Sequence, residues 1–137
     1  MEQYLEKLKQ SGFKFTPRRQ AIIRFFVKGK SHLTPEEVWN KLKQQFVRCG
    51  LPSVYRNLES LVKCGILTRI QQFDCKKHYG LCSAIDGDHH HHITCIKCGK
   101  VDEIKNCAIN DIKKIKGYKV VNHFMQVNGI CVGCLKE

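Results

Sequence analysis

Apolar residues recur at helical spacing through the first half of the chain and give way to short strand-like runs in the second. Tyr4, Leu5 and Leu8 predict a short amphipathic helix that Gly12 ends. Thr16 then stands as N-cap, with Pro17 at the first helical position and Ala21, Ile22, Phe25 and Phe26 as the inner stripe before Gly29. Thr34-Pro35-Glu36-Glu37 marks another helix start, with Glu37 placed to close a capping box; Val38, Leu42 and Phe46 follow at steps of four. Pro52-Ser53 opens a further helix lined by Val54, Leu58, Leu61 and Val62, and Gly65 supplies its C-cap. Ile66–Ile70 and Lys77–Leu81 read as two strands around a turn at Asp74. Helices followed by a hairpin is the element order of a winged helix-turn-helix.

The pattern changes after Leu81. Residues 82–88, with Asp86-Gly87-Asp88 at their end, read as a hinge between a domain at 1–81 and a second at 89–137. Strand-like pieces occur at Ile93–Cys95, Val101–Ile104 and Tyr118–Val127, with a short helix carrying Ile109, Ile112 and Ile115 between them. The expected class is therefore α+β, a winged-helix domain followed by a small α/β domain.

Charge divides at the same place. Residues 1–80 hold 16 Lys/Arg against 6 Asp/Glu, whereas residues 81–137 hold 8 against 6. A basic first half points to nucleic acid and moves the outer face of the Pro52 helix, with Tyr55 and Arg56, from an ordinary solvated face to a recognition surface. Met1-Glu2-Gln3-Tyr4 opens a polar segment, and no apolar run approaches membrane-spanning length, so a cytoplasmic protein without membrane contact is expected. Nine cysteines in that setting imply metal ligation more than a disulfide framework.

The densest chemistry is His89-His90-His91-His92-Ile-Thr-Cys95-Ile-Lys-Cys98, matched by Cys131-Val-Gly-Cys134 near the C-terminus. Two Cys-x-x-Cys knuckles supply the four thiolates of a closed tetrahedral zinc site, so Cys95, Cys98, Cys131 and Cys134 read as structural zinc ligands. Two disulfides or free thiols are the alternative. The 32 residues between the knuckles leave room for a small subdomain. Cys49, Cys64, Cys75 and Cys107 lack paired spacing and read as packing or surface thiols. A hydrolytic zinc enzyme would need a general base, often in His-Glu-x-x-His; that motif, a Ser-His-Asp set and a phosphate-binding glycine loop are all missing, so an enzyme with a small-molecule substrate is not expected. A simple metal store would need neither the capped helices nor the basic half.

Taken in order, several motifs resemble the ferric uptake regulator family of bacterial metal-dependent repressors. They are Thr16-Pro17-Arg18-Arg19, His32-Leu-Thr-Pro-Glu-Glu-Val-Trp39, Ser53-Val-Tyr-Arg-Asn-Leu58, His89–His92 before Cys95-x-x-Cys98-Gly-Lys-Val101, and His123 ahead of Cys131-x-x-Cys134. The resemblance spans nearly the whole chain. It implies a homodimer held by the C-terminal domain and repression through palindromic operator DNA when a regulatory metal is bound. It puts Tyr55, Arg56 and Ser53 at the DNA, with Lys14, Arg18 and Arg19 near phosphates or the minor groove.

The resemblance also implies a regulatory site at His90 and His92, with His32 reaching over from the DNA-binding half. Iron and peroxide sensors of the family add a carboxylate before the histidines; here that segment offers Cys82, a softer donor that resembles the zinc uptake regulators. The expected sensing set is Cys82, His90 and His92, completed by His32 or else by Asp74 or Glu103. The regulatory metal is zinc on this reading, with iron(II) or manganese(II), in an iron-responsive or peroxide-sensing repressor, as the alternative. A further family site implies His89, His91 and His123 with an acidic residue, for which Asp111 or Glu103 is the substitute.

Overall fold

The computed structural model describes residues 1–30, 32–72, 76–82, 90–105, 107, 113–121, 123 and 125–136. The turn at Asp74, Cys75, the hinge residues 83–88, His89, Ile109, Asp111 and Ile112 lie outside the described residues. The chain divides into two compact units, Met1–Gly87 and Asp88–Glu137.

The first unit is built from four helices, α1 (Glu2–Gln10), α2 (Pro17–Lys28), α3 (Pro35–Leu42) and α4 (Leu51–Lys63), with strands β1 (His32–Leu33), β2 (Leu67–Gln71) and β3 (Lys77–Leu81). The starts of α2 and α3 follow the capping logic of the sequence. Thr16 Oγ1 accepts from the Arg19 amide at 3.3 Å. Thr34 and Glu37 close a reciprocal box, Glu37 N–H to Thr34 Oγ1 at 3.2 Å and Thr34 N–H to Glu37 Oε2 at 2.8 Å. After α4, Gly65 sits at φ +72°, the left-handed turn that lets the chain leave a helix without a Cβ penalty. The chain then turns straight into β2, which pairs antiparallel with β3 in the register Leu67↔Leu81 to Gln71↔Lys77.

β1 adds to the other edge of β3, so the wing is a three-stranded sheet in the order β1-β3-β2. A two-residue strand carries no alternation for a sequence pattern to register. Beneath the sheet, Leu8, Ile22, Ile23, Val38, Leu42, Val54, Leu58, Leu61 and Ile66 are fully buried in one core with Leu33 and Tyr79.

The second unit holds β4 (His91–Cys95), β5 (Val101–Ile104), β6 (Lys114–Ile115), β7 (Tyr118–Lys119), β8 (Gln126–Gly129) and the short α5 (Val132–Leu135). β4 is central, antiparallel to β5 and parallel to β8. β6 and β7 form a hairpin around Lys116-Gly117, both at positive φ. This corrects two expectations. Ile115 lies in a strand, since a two-residue turn with both φ positive overrides the three-residue spacing of the isoleucines. The run 118–127 is not one strand: only Tyr118–Lys119 and the start of β8 within it are paired.

Candidate metal centres and candidate nucleic-acid interface

The two knuckles close on each other. Cys95 ends β4 opposite Gly129 of β8, and Cys131 caps α5, so strand pairing brings the two cysteine motifs to one place. The four sulfurs lie within 4.8 Å of one another, with Cys98 Sγ 3.7 Å from Cys131 Sγ. Gly99 at φ +76° lets the first knuckle fold back beneath its sulfurs, and the Cys131 amide donates to Cys95 Sγ at 3.3 Å. Backbone amides of Cys98 and Cys131 hold the Cys95 thiol down at about 6, whereas the Cys131 sulfur and burial push Cys134 up to about 12. One thiolate forms easily and the last with difficulty, as expected of four crowded sulfurs, and a divalent cation is what would let all four ionise. This donor set fits structural zinc.

β4 presents its histidines alternately to two sides, because successive strand residues face opposite ways. On one side, His90 and His92 gather with Glu103, which faces His92 across the β4–β5 pairing. The two imidazoles pack edge to face with centroids 4.9 Å apart. His92 Nε2 and Glu103 Oε1 are both buried without a hydrogen-bond partner among the described residues. Burial and the neighbouring His90 depress the His92 pKa, which favours the neutral, ligating imidazole; Glu103 opposes that shift. Unpartnered lone-pair atoms gathered within reach of one another fit a cation, because an ion would satisfy them together. Glu103 thus stands inside the cluster, although the sequence offers it only as a substitute.

On the other side, His91 Nε2 lies 3.1 Å from Cys107 Sγ and 3.0 Å from His123 Nε2, and Cys107 Sγ is 3.2 Å from His123 Nε2. The expectation that Cys107 is a packing or surface thiol is therefore corrected. Its lone spacing in the sequence gave no sign of a partner 16 residues away. His91 and His123 come together as expected, whereas His89 and Asp111 lie outside the described residues.

The remaining candidate ligands belong to the first unit. Cys82 is buried, and its amide donates to the Ile66 carbonyl at 2.8 Å. His32 Nδ1 meets His78 Nδ1 at 3.0 Å, because β1 and β3 pair with His32 opposite Gly80 and put both rings on one face. His78 is a residue that sequence reasoning missed.

In the same unit, α4 carries Ser53, Tyr55 and Arg56, with Arg56 exposed. Arg19 donates through Nε to Asn57 Oδ1 at 3.2 Å and through Nη1 to the Lys14 carbonyl at 2.6 Å, which links the start of α2 to α4. Arg18 donates to the Arg48 carbonyl and lies over the Phe46 ring. Lys14, Arg18 and Arg19 therefore cluster around the α2 N-terminus, and α4 is anchored beside them.

The family model described as the ferric uptake regulator family matches residues 10–128, most of the chain. The chain belongs to that family. Among curated relatives, the ferric uptake regulation protein of Neisseria gonorrhoeae is 36% identical over 135 residues, covering 95% of this chain and 92% of that protein. The peroxide-responsive repressor PerR of Staphylococcus aureus (strain Mu50 / ATCC 700699) is 27% identical, covering 98% and 90%. A zinc uptake regulator solved in complex with zinc and DNA superposes with a TM-score of 0.78 at 21% identity, over 94% of this chain and 88% of that one; it supports the fold alone. As a ferric uptake regulator family member, the protein is a metal-dependent transcriptional regulator with a winged-helix DNA-binding domain and a dimerisation-type domain carrying a four-cysteine cluster. Among the described residues, no helix is long and apolar enough to cross a membrane.

Proposed function

We propose that the protein is a zinc-responsive repressor that binds palindromic operator DNA as a homodimer once its regulatory site is filled. The observation that carries metal regulation is the pair of orphaned buried atoms, His92 Nε2 and Glu103 Oε1, focused together with His90. Cys82 and His32 are the ligands proposed to complete that site from the sequence. The preference for zinc rests on Cys82, a thiol where iron and peroxide sensors of the family use a carboxylate. The carboxylate of Glu103 favours the second reading, an iron(II)-responsive regulator, since oxygen donors suit harder ions.

The DNA contacts follow from the first unit's chemistry. Tyr55 and Arg56 on α4 would enter the major groove, with Ser53 near the same edge and Lys14, Arg18 and Arg19 on phosphates. The pairing of two copies is supported by the exposure of Ile115, Tyr118 and Val121 in the second unit, where Tyr118 is 77% and Val121 86% exposed.

The test is operator binding by fluorescence anisotropy under buffered free metal, comparing wild type, His92→Ala and Cys82→Ser. Zinc alone should switch on tight, steeply salt-dependent binding, and both substitutions should abolish the response while leaving the dimer folded. Activation by iron(II) or manganese(II) but not zinc would overturn the zinc reading. An unchanged zinc response in His92→Ala would remove this cluster as the sensor.

A further inference from the structure

A third buried atom on the face of β4 that carries His92 lacks a partner. Thr94 is fully buried, and its Oγ1 makes no hydrogen bond among the described residues, the same condition as His92 Nε2 and Glu103 Oε1. Strand formation does not require this hydroxyl. Valine suits a strand equally, fills the same space and has no polar atom to strip of water. A buried hydroxyl without an acceptor is unfavourable, so its presence calls for a partner that the fold alone does not supply.

Strand register narrows the choice of acceptor. Thr94 follows His92 by two residues in β4, so the two side chains share a face, about 6.6 Å apart along the strand. Across the sheet Thr94 pairs with Val101 of β5 and Asn128 of β8. Val101 has no polar side-chain atom, and Asn128 Oδ1 already accepts from Gln126 Nε2 at 3.2 Å. Glu103 pairs with His92 and is therefore the diagonal neighbour of Thr94. Diagonal positions lie about 7–8 Å apart, within reach of a side chain as long as glutamate. A cation held by His90, His92 and one Glu103 oxygen leaves the second carboxylate oxygen over as an acceptor.

We infer that Thr94 is a positioning residue of the His90–His92–Glu103 cluster: its hydroxyl donates to the Glu103 carboxylate and holds it in the orientation that ligates the cation. The inference rests on the regulatory role proposed for that cluster, and it is indifferent to which metal fills it. Ligating carboxylates are themselves held by hydrogen bonds, and loss of such a support weakens metal binding. The fold by itself gives the hydroxyl no partner, so removing it takes nothing from the metal-free protein. Metal affinity and metal-free stability therefore respond differently to the same substitution.

The experiment uses the full-length protein with the four-cysteine site already filled by zinc. Further zinc is titrated against a competing chelator for wild type, Thr94→Val, Thr94→Ser, Glu103→Ala, the Thr94→Val/Glu103→Ala pair and His92→Ala. The zinc equivalent that His92→Ala loses identifies the cluster. Thr94→Val should bind that equivalent about 10- to 100-fold more weakly, whereas Thr94→Ser, which keeps the hydroxyl, should stay close to wild type. In the Glu103→Ala background Thr94→Val should have no further effect. The thermal midpoint before titration should be no lower in Thr94→Val than in wild type. Wild-type affinity in Thr94→Val, beside a clear loss in His92→Ala, would overturn this inference and leave the proposed regulatory cluster standing. A Thr94→Val loss that persists undiminished in Glu103→Ala, or that comes with a lowered thermal midpoint and is shared by Thr94→Ser, would assign Thr94 to packing and overturn it too. Unchanged zinc binding in His92→Ala would remove the cluster itself, and the inference with it.

Discussion

Glu59 shows how single residues tie α4 to the wing. Its carboxylate receives the Arg69 guanidinium from β2 and the Tyr79 hydroxyl from β3, the latter at 2.5 Å. Arg69 first, and then Tyr79, hold the Glu59 carboxyl down at about 2 from its usual 4.5, against the opposing effect of burial. Tyr79, fully buried, is pushed upward mainly by desolvation and then by Glu59. A carboxyl depressed in the folded state contributes stability that is complete above its unfolded value and is lost as pH falls from about 4.5 toward 2. Glu59→Gln should therefore be less stable than wild type at neutral pH, and the gap should close across that acidic window. Urea midpoints measured from pH 6 downward would show it; parallel curves for the two proteins would refute the assignment. The partners of Glu59 were not readable, because nothing in the spacing of 59, 69 and 79 says which strand face turns toward the helix.

Among the elements, the helices were the most legible. α2 and α3 begin where Thr-Pro pairs announce them, and the α3 capping box was foreseeable from Thr34 and Glu37 alone. Both partners of such a box lie within one turn, so local sequence suffices. Thr34 is buried in addition, so an amide left bare by removing its hydroxyl would have little water to turn to. Thr34→Ala should cost about 1 kcal/mol, read as a lowered midpoint in chemical denaturation with an unchanged slope. A midpoint equal to wild type would mean that the cap contributes nothing. The strands were less legible. β2, β3, β4 and β5 run for four or five residues and could be foreseen, whereas β1, β6 and β7 have two residues each and exist only through their partners.

At the scale of the whole molecule the two units rest on different chemistry. The first has a contiguous apolar core from Tyr4 to Tyr79. In the second, among the described residues, the buried side chains are Cys95 and Cys134 with His91 and Thr94, so its interior is largely ligand. A unit of that kind gains much of its folding free energy from metal. Removing zinc with a strong chelator under reducing conditions, or substituting Cys98→Ser, should unfold residues 88–137 and leave 1–87 intact. Amide hydrogen exchange distinguishes the halves; equal protection of both before and after chelation would contradict it.

The sequence by itself determined the helices of the first unit, the wing hairpin, the basic first half and the four-cysteine set. Each depends on spacing within a turn, a strand or a two-residue knuckle, and such spacings are written along the chain. Only the tertiary structure decided that Cys107 meets His91 and His123, and that His32 meets His78 across 46 residues. Those encounters depend on strand register and on which face each strand turns inward. Pairing between distant segments sets both, and no local pattern encodes them.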